Sequence, residues 1–212
     1  MEYLPHSTHE VFIAIISIIT GYILGSIPFG LLLTQISGIE DIRHIGSGNI
    51  GATNVLRTGN KKLAFMTLIC DAIKAVVAII IISILFNNKA GELAGFATFI
   101  GHIFPVWLKF KGGKGISTYI GILISLKPSM IIFFAIIWIL CFLITRYSSI
   151  SSLLSTSLIT ITFWVILPET NLPIIFTLMM IIIYWTHLDN IKRLISGSET
   201  KIILTESDNG KN

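Results

Sequence analysis

Charge is scarce in this sequence. Of its 212 residues, only 12% are charged and 53% are hydrophobic, whereas soluble domains carry about 25% charged residues. A soluble protein of this length could bury a large core, but its surface would still need polar residues that this chain lacks. The scarcity of charge therefore excludes an ordinary soluble globular domain.

Several familiar catalytic and metal-binding patterns are also missing. No histidine is followed by an aspartate five residues on, and no Gly-x-Ser-x-Gly elbow occurs. No group of histidine, cysteine and carboxylate residues has metal-ligand spacing. The two cysteines, Cys70 and Cys141, lie in apolar stretches, so a disulfide framework is not expected. The sequence therefore predicts no metal, no cofactor and none of the common hydrolase or acyltransferase boxes.

Long apolar runs are abundant instead. Val11–Leu33 contains no charged residue, and neither does Ser129–Thr145; a helix of about 20 apolar residues can cross a bilayer. No Lys or Arg precedes the first run, so we interpret it as a retained span rather than a signal peptide. The pattern predicts an all-α, polytopic integral membrane helical bundle with seven transmembrane helices. We place them at 10–36, 63–86, 92–108, 116–127, 129–145, 152–167 and 172–188.

No internal repeat or second domain is visible. We predict a single membrane-embedded domain over residues 1–199 and a polar C-terminal tail over 200–212. Within the domain, Lys127-Pro128 and Pro168–Asn171 separate neighbouring spans, since proline disfavours helix in the residue before it.

The basic residues test this topology, because cytoplasmic loops of membrane proteins carry an excess of Lys and Arg. With seven spans, one side collects most of them: Arg43, Arg57, Lys61, Lys62, Lys109, Lys111, Lys114, Arg146, Lys192, Arg193, Lys201 and Lys211. The opposite side has Lys89 and Lys127, and Lys74 lies within the second span. We therefore expect the N-terminus outside, the C-terminus in the cytoplasm, and a net charge of +4 that reflects topology rather than nucleic-acid binding.

Residues 41–57 form the longest predicted cytoplasmic segment that carries residues suited to binding or catalysis. Its three glycines, Gly46, Gly48 and Gly51, let the backbone approach an anion closely. Neutral hydrogen-bonding groups and forked cations surround them: Ser47, Asn49, Thr53, Asn54, Arg43 and Arg57. An ordinary polar loop is the alternative, but such a loop does not require this combination. The segment favours phosphate binding.

The second segment contains Lys111-Gly-Gly-Lys-Gly115 and runs into the next helix. A lysine between glycines at a helix entrance can hold a phosphate with backbone N–H groups and a point charge. The segment is not a Walker A loop, because the first glycine and the Lys-Ser/Thr pair are missing. His102, just upstream, is open to either a packing or a functional interpretation.

Two further segments lie on the same side. Arg146–Ser152 is rich in hydroxyl groups, and capping of the next helix and a functional role both remain open for it. In the last segment, His187, Asn190 and Arg193 are spaced three residues apart and share a helix face. A basic juxtamembrane helix end is the alternative interpretation of that segment.

Asp71 and Lys74 are ionisable residues within a predicted span, where such groups are expensive and commonly functional. Their three-residue spacing allows them to pair with each other. We favour a structural ion pair over a site.

Four pieces together resemble a known family. Gly25-Ser-Ile-Pro-Phe-Gly30, Gly46-Ser-Gly-Asn-Ile-Gly-Ala-Thr-Asn54, Phe110-Lys-Gly-Gly-Lys-Gly115 and His187-x-x-Asn-Ile-x-Arg193 are similar to motifs of the bacterial acyl-phosphate-dependent glycerol-3-phosphate acyltransferases, the PlsY family. The resemblance covers nearly the whole chain. It implies a multi-pass enzyme of the bacterial inner (plasma) membrane with its active site on the cytoplasmic side.

The resemblance also implies a reaction. A fatty acyl group would move from long-chain acyl phosphate to the 1-hydroxyl of glycerol 3-phosphate, giving lysophosphatidate and phosphate for phospholipid synthesis. By motif position it assigns catalytic roles to Ser47, His187 and Asn190. The substrate-binding set would be Arg43, Asn49, Thr53, Asn54, Arg57, Lys111, Lys114, Ser152, Arg193 and Glu199. Leu188 stands where the family commonly has arginine. Membrane lipid and the enzyme that makes acyl phosphate are the implied partners.

Two other function classes remain open from the residues alone. A transporter or channel for phosphorylated anions would also use basic glycine-rich loops, but it should place polar residues near mid-membrane or in paired broken helices. A non-enzymatic membrane scaffold would leave the glycine loops unexplained. The polar groups here gather at one interface, which favours the enzyme.

Overall fold

The computed structural model of the protein describes residues 6–202, which form helices and loops without a β-strand. In chain order the α-helices of this range are α1 (His6–Gly25), α2 (Phe29–Ile36), α3 (Ala52–Leu56), α4 (Lys61–Leu85), α5 (Asn88–Ile103), α6 (Ile116–Leu126), α7 (Ser129–Thr145), α8 (Ser148–Ile166), α9 (Leu172–Thr186) and α10 (Leu188–Ile195). Two short 3₁₀ helices, Ile42–His44 and Val106–Leu108, lie in the loops. The all-helical prediction is confirmed, and most of the predicted tail lies outside the described residues.

Each predicted span overlaps at least one of these helices, and the first overlaps both α1 and α2, but the helices differ in length. Four stretches of the described chain are long and apolar enough to cross a membrane: Thr8–Ile36, Lys61–Leu85, Asn88–Leu108 and Ser148–Ile166. The pair α9 and α10, bent by 56°, would make a fifth. Helices α6 and α7 are apolar but shorter than 18 residues. The chain is thus multi-pass, while the number seven stays a prediction.

The first predicted span, 10–36, is not one continuous helix. α1 ends at Gly25 and α2 begins at Phe29, with Pro28 at φ −90° and ψ 74° between them. Proline donates no backbone hydrogen bond and disfavours helix at the residue before it, so the chain breaks at Ile27. The break leaves the Ile27 carbonyl available to a side chain from another helix.

By its contacts the chain divides at Pro128, where the sequence predicted a turn, into two compact units. Unit 1 is residues 1–128, and its helices approach one another through glycines. A Cβ added at Gly21 would lie 2.2 Å from the Ala94 carbonyl oxygen, and one at Gly25 would lie 2.1 Å from that of Thr98. Small residues of this kind let membrane helices pack backbone to backbone. They bring α1 against α5.

Unit 2 is residues 129–212. Helix α8 begins at Ser148, earlier than the predicted start at 152, so Ser149 and Ser152 lie on the helix rather than in a turn. The hydroxyls of α8 bond to carbonyls one turn back, as Ser155 does to Ser151 at 2.7 Å, which removes the penalty of burying them. Phe163 of α8 and Phe176 of α9 pack with ring centroids 4.6 Å apart.

Candidate active site

A small apolar cluster holds the first predicted segment, residues 41–57, against helices α2 and α4 of unit 1. The side chains of Ile42, Ile50 and Val55 are almost completely buried, together with Leu31 of α2 and Leu63 of α4. These apolar anchors alternate with the glycines and polar residues of the segment. The loop is therefore a folded part of the membrane unit, and its polar groups are presented from a fixed backbone.

Asn54 organises the interior of this loop. Its Oδ1 accepts a hydrogen bond from the backbone N–H of Ser47 at 3.0 Å. Its Nδ2 donates to the carbonyls of Ile42 and Ile45 at 3.0 and 2.9 Å. The side chain is 2% exposed, so these bonds replace water for groups that would otherwise be unsatisfied. Asn54 shapes the loop in addition to any contact with substrate.

Arg57 lies beside the first glycine. A Cβ at Gly46 would stand 2.5 Å from Asn54 Oδ1 and 2.8 Å from Arg57 Cδ, and Gly46 has φ +56°. Only glycine combines this left-handed backbone with such a close neighbour. In the described part of the chain, no carboxylate forms an ion pair with Arg57. The structure thus brings Ser47, Asn54 and Arg57 together around Gly46.

Arg43, by contrast, is paired. Its Nε donates to both carboxylate oxygens of Asp41, at 2.9 and 3.0 Å, and its backbone N–H also bonds to Asp41. The side-chain bonds from Arg43, with the backbone bond, lower the pKa of Asp41 to about 2. The same bonds raise the pKa of Arg43. The guanidinium is nearly half exposed but already has a carboxylate partner.

The remaining predicted residues of this loop lie near its surface. Ser47 and Thr53 are exposed and Asn49 is half-buried. Asn49 Oδ1 accepts from the backbone N–H of Gly51 at 2.8 Å, a local turn that leads into α3. Their roles toward a substrate stay predictions.

The second predicted segment is anchored by its backbone. The N–H of Gly112 donates to the Ile103 carbonyl at 2.9 Å, and that of Gly113 donates to the His102 carbonyl at 3.0 Å. Gly115 has φ +90°, and a Cβ there would meet the Phe99 ring at 2.3 Å. The loop therefore folds back onto the end of α5 and turns sharply into α6, with Lys111 exposed and Lys114 half-buried.

In unit 2, the buried carboxylate of Glu199 binds two other predicted residues, Asn190 and Arg193, and one that was not predicted, Ser149. Glu199 Oε1 accepts from Asn190 Nδ2 and from Ser149 Oγ, the latter at 3.0 Å. Its Oε2 accepts from Arg193 Nε at 2.7 Å. Glu199 is 8% exposed and Asn190 is 6% exposed. The cluster ties the start of α8 to α10 and fixes the Asn190 amide.

Burial alone would raise the pKa of Glu199, because desolvation disfavours the charged form. The hydrogen bonds from Asn190, Arg193 and Ser149 outweigh that effect and lower the pKa of this carboxyl below its usual value. Glu199 is therefore a carboxylate at neutral pH, and its charge is balanced by Arg193.

His187 lies at the joint between α9 and α10, where it is 4% exposed. Its Nδ1 is 2.8 Å from the Ile183 carbonyl oxygen. A carbonyl can only accept, so Nδ1 carries the proton in this bond and the neutral ring has its lone pair on Nε2. This tautomer is the one that can accept a proton at Nε2.

Ser152 also has a defined partner. Its Oγ accepts from the indole N–H of Trp138 at 3.1 Å, and Trp138 stacks on Phe142. Ser149 and Trp138 were not predicted as site residues. Ser149 stood in the hydroxyl-rich segment without a signal of its own, and nothing in the sequence links position 138 to 152.

A family comparison covers both units. The model of the family described as "Glycerol-3-phosphate acyltransferase" matches residues 15–197 of this chain. The glycerol-3-phosphate acyltransferase of Agrobacterium fabrum is 53% identical over 182 residues, which are 86% of this chain and 88% of the relative. That of Allorhizobium ampelinum is 52% identical over 206 residues, 95% of this chain and 98% of the relative.

Solved structures agree with the sequence relatives. A crystal structure of PlsY, an integral membrane glycerol 3-phosphate acyltransferase, in its glycerol 3-phosphate form has a TM-score of 0.85 and 32% identity, with 92% of this chain and 98% of PlsY covered. The lysophosphatidic acid form has a TM-score of 0.82 at the same identity, with 90% and 95% covered. This chain belongs to the glycerol-3-phosphate acyltransferase family, the family of PlsY.

Proposed function

We propose that this protein transfers a fatty acyl group from acyl phosphate to the 1-hydroxyl of glycerol 3-phosphate. The observation that carries the proposal is that PlsY, similar over nearly the whole chain, has been solved in a glycerol 3-phosphate form and in a lysophosphatidic acid form. These two ligands differ by one acyl group on the glycerol. They are therefore the acceptor and the product of a single acylation.

Acyl phosphate is the donor that suits the residues present. It is a mixed anhydride with a good leaving group, so catalysis consists largely of placing two anions and stabilising an oxyanion. Transfer forms an ester bond to the glycerol oxygen and breaks the bond between the acyl carbon and the phosphate oxygen. The hydroxyl proton and inorganic phosphate are released. No nucleophile that would form an acyl-enzyme is needed.

The cationic groups of unit 1 would hold phosphate. Arg57 has no carboxylate partner within the described residues and lies against Gly46, and a guanidinium can bind two phosphate oxygens at once. Lys114 follows the buried Gly113 in a loop whose backbone is fixed at Gly112 and Gly113. These cations would offset the repulsion between two phosphates. Lys111 and Arg43 would assist from more exposed positions.

Neutral groups would stabilise the oxyanion. Ser47 and Ser152 are the predicted hydroxyl donors, and both lie on supported backbone: Ser47 through Asn54, Ser152 on helix α8. Oxyanion donors act best when they are already oriented before the reaction. Asn190, whose amide is held by Glu199, would position His187 or the substrate.

His187 would accept the proton of the attacking hydroxyl at Nε2. The hydrogen bond from its Nδ1 to Ile183 supports this role, because it selects the tautomer with a lone pair on Nε2. The departing phosphate is the alternative proton acceptor. Substituting His187→Ala separates the two routes: a large loss in kcat favours the imidazole, and near-normal kcat favours the phosphate.

The decisive experiment incubates the purified protein, in detergent micelles, with palmitoyl phosphate and glycerol 3-phosphate. Release of inorganic phosphate together with 1-acylglycerol 3-phosphate is the expected result. Failure to form either product would refute the proposal. His9→Ala is the matched control for His187→Ala, because His9 lies in α1 and outside every predicted site segment.

The proposed setting is a bacterial inner membrane with seven spans and the active site on the cytoplasmic side. The inner membrane is what the family resemblance implies, while the seven spans and the cytoplasmic side rest on the distribution of Lys and Arg residues between the predicted loops. Reporter fusions at Asn88 and Asn209 should appear on opposite sides of the membrane, and the same side for both would refute the arrangement. An enzyme that makes acyl phosphate remains a predicted partner.

A further inference from the structure

Three ionisable side chains lie buried in unit 1 and have no part in the mechanism proposed above. Asp71 and Lys74 of α4 are 1% and 4% exposed, and His102 near the end of α5 is 4% exposed. Burial of ionisable groups within a membrane span is expensive unless they are paired, and such groups commonly have a function. The three are connected to one another.

Lys74 is the centre of the network. Its Nζ lies 2.9 Å from Asp71 Oδ1, 2.9 Å from His102 Nδ1 and 3.1 Å from the Ile27 carbonyl oxygen. The ammonium, which has only donors, makes hydrogen bonds to the Ile27 carbonyl and to His102 Nδ1, while its contact with Asp71 is an ion pair without hydrogen-bond geometry. One side chain thereby joins α4, the end of α5 and the break between α1 and α2.

His102 continues the network into the Lys111–Gly115 loop. Because Nδ1 accepts from the Lys74 ammonium, the neutral ring carries its proton on Nε2. That edge of the ring faces Gly113: a Cβ at Gly113 would lie 2.0 Å from Nε2 and 2.6 Å from Cε1. The backbone of His102 contacts the same glycine, since its carbonyl accepts the Gly113 N–H. The imidazole therefore lies directly under the loop.

We propose that Asp71, Lys74 and His102 are positioning residues for the Lys111–Gly115 loop. The ion pair holds the His102 imidazole in place, and the imidazole sets the position of the Gly113 backbone that packs on it. Gly113 in turn sets where the Lys114 that follows it would meet a phosphate. This inference rests on the proposed function, because it names the support of the loop that binds phosphate there.

A plain packing pair between Asp71 and Lys74 explains less. Such a pair needs only the two residues of α4, which are already in reach at three-residue spacing. It gives no reason for a buried imidazole as second acceptor or for the exclusion of any side chain at position 113. The contact between His102 and Gly113 distinguishes the two interpretations.

A size exchange at that contact tests the proposal. Gly113→Ala should lower kcat/KM for glycerol 3-phosphate by about 100-fold, through a higher KM, a lower kcat or both. This is the effect of roughly 1 Å of misplacement. His102→Asn keeps an acceptor for Lys74 at Oδ1 but removes Nε2 and Cε1, the two ring atoms nearest to position 113. The double variant should therefore recover at least about tenfold over Gly113→Ala, since residues in contact are not additive.

The proposal is overturned if the loss of kcat/KM in the double variant equals the product of the losses in Gly113→Ala and His102→Asn. Thr98→Val is the matched control on α5, because Thr98 is buried and its hydroxyl bonds only to Ala94 of its own helix. This variant should leave both kinetic constants within about twofold of the wild type, because the hydroxyl that it removes bonds within α5 and takes no part in the Lys74 network.

Hydrogen exchange provides a readout that does not depend on activity. In Lys74→Met, the amides of Gly112 and Gly113 should exchange at least about tenfold faster, because the local opening of the loop becomes easier. Peptides from α9 should exchange as in the wild type. Unchanged exchange at the two glycines overturns the support role even in an active enzyme. A wild-type protein that is inactive toward both substrates, with faster exchange in Lys74→Met, refutes the proposed reaction and leaves the support intact.

Discussion

The 41–57 loop of unit 1 and the Glu199 cluster of unit 2 hold their polar groups in opposite ways. In the loop, a neutral amide, Asn54, binds one N–H and two carbonyls, and Arg57 remains without a carboxylate partner among the described residues. In the cluster, a buried carboxylate binds an amide, a hydroxyl and the guanidinium of Arg193. One region is shaped by neutral bonds and the other by charge.

The difference follows from what each region must leave available. A loop meant to bind phosphate should not be shaped by its own anion, since that anion would occupy the cation and repel the ligand. Asp41 illustrates the point, because it pairs with Arg43 and keeps that guanidinium engaged. In the cluster, the Arg193 guanidinium is part of the framework through its bond to Glu199, and its contact with substrate stays a prediction.

The largest effect should come from removing the charge that organises unit 2. Glu199→Ala leaves Asn190, Ser149 and Arg193 without their common acceptor. Because the Arg193 side chain remains 36% exposed, solvent recovers part of the loss, and we expect the free energy of unfolding to fall by about 2–3 kcal/mol. Thermal unfolding in detergent measures the change.

Glu169→Ala is the control for this variant. Glu169 lies on the exposed loop between α8 and α9 in the same unit, where a single surface substitution changes stability by about 0.5 kcal/mol or less. Equal effects of the two substitutions would contradict the organising role of Glu199.

A somewhat smaller effect should follow from Asn54→Ala. The change removes three hydrogen bonds: the one from the Ser47 N–H and the two to the Ile42 and Ile45 carbonyls, which keep their backbone bonds from Ile45 and Gly48. Each such bond contributes about 0.5–1.5 kcal/mol. We expect a loss of about 2 kcal/mol because the loop can open to water, together with at least tenfold lower acyl transfer. Phosphate release and thermal unfolding measure the two parts.

Asn87→Ala separates loop shape from the loss of an asparagine in general. Asn87 caps α5 by accepting from the Ala90 N–H at 3.0 Å, and loss of such a cap costs about 1 kcal/mol. It should destabilise the protein without a selective loss of acyl transfer. A matching loss of activity in both variants would remove the argument for Asn54.

Next in size is a comparison between two glycines with positive φ. Gly46→Ala puts a methyl group against Asn54 Oδ1 and Arg57 Cδ, whereas Gly59, at φ +82°, has nothing within 4 Å of an added Cβ. Both changes carry about 1 kcal/mol of backbone strain. Only Gly46→Ala should also displace Arg57, with roughly tenfold lower kcat/KM. Equal kinetics in the two variants would show that the contact with Arg57 is unimportant.

The smallest expected effect is the response to acid. Glu199 has a pKa lowered from 4.5 in the folded state, so the stability it contributes is present above about pH 4.5 and is lost as the pH falls through the lower folded value. The unfolding temperature should stay constant from pH 7 to pH 5 and should decrease at lower pH. The pair of Asp41 with Arg43 lies at the surface, with the guanidinium nearly half exposed, so it contributes little to the decline. In Glu199→Gln this acid-dependent decline should be shallower, and an unchanged profile would exclude Glu199 as its source.

Much of the fold was accessible from the sequence because long apolar runs and prolines act locally. The run without charge over 129–145 is α7 at the same bounds, and the turn predicted at Lys127-Pro128 is the boundary between the two units. The break in the first span was missed although Pro28 was visible. A proline in an apolar stretch can kink a membrane helix or end it, and only packing decides which.

The site was less accessible because its partnerships join distant positions. Glu199 and Ser149 are 50 residues apart in the chain, and Lys74 and His102 are 28 apart. Motif position assigned Asn54 to the substrate-binding set. Its bonds to the Ile42 and Ile45 carbonyls could not be predicted, because they depend on how the loop folds. The three-residue spacing predicted the pair of Asp71 and Lys74, but it did not predict that His102 also contacts Lys74.

The hydrogen bond from Trp138 to Ser152 gives the protein a built-in optical probe. The fluorescence emission of an indole depends on the hydrogen bond that its N–H makes. The N–H of Trp138 donates to the hydroxyl of Ser152, which is predicted to contact substrate. A ligand that recruits Ser152 would alter the environment of one tryptophan among the four in the chain. Occupancy of unit 2 could then be followed by fluorescence during turnover, without a label and without a coupled assay.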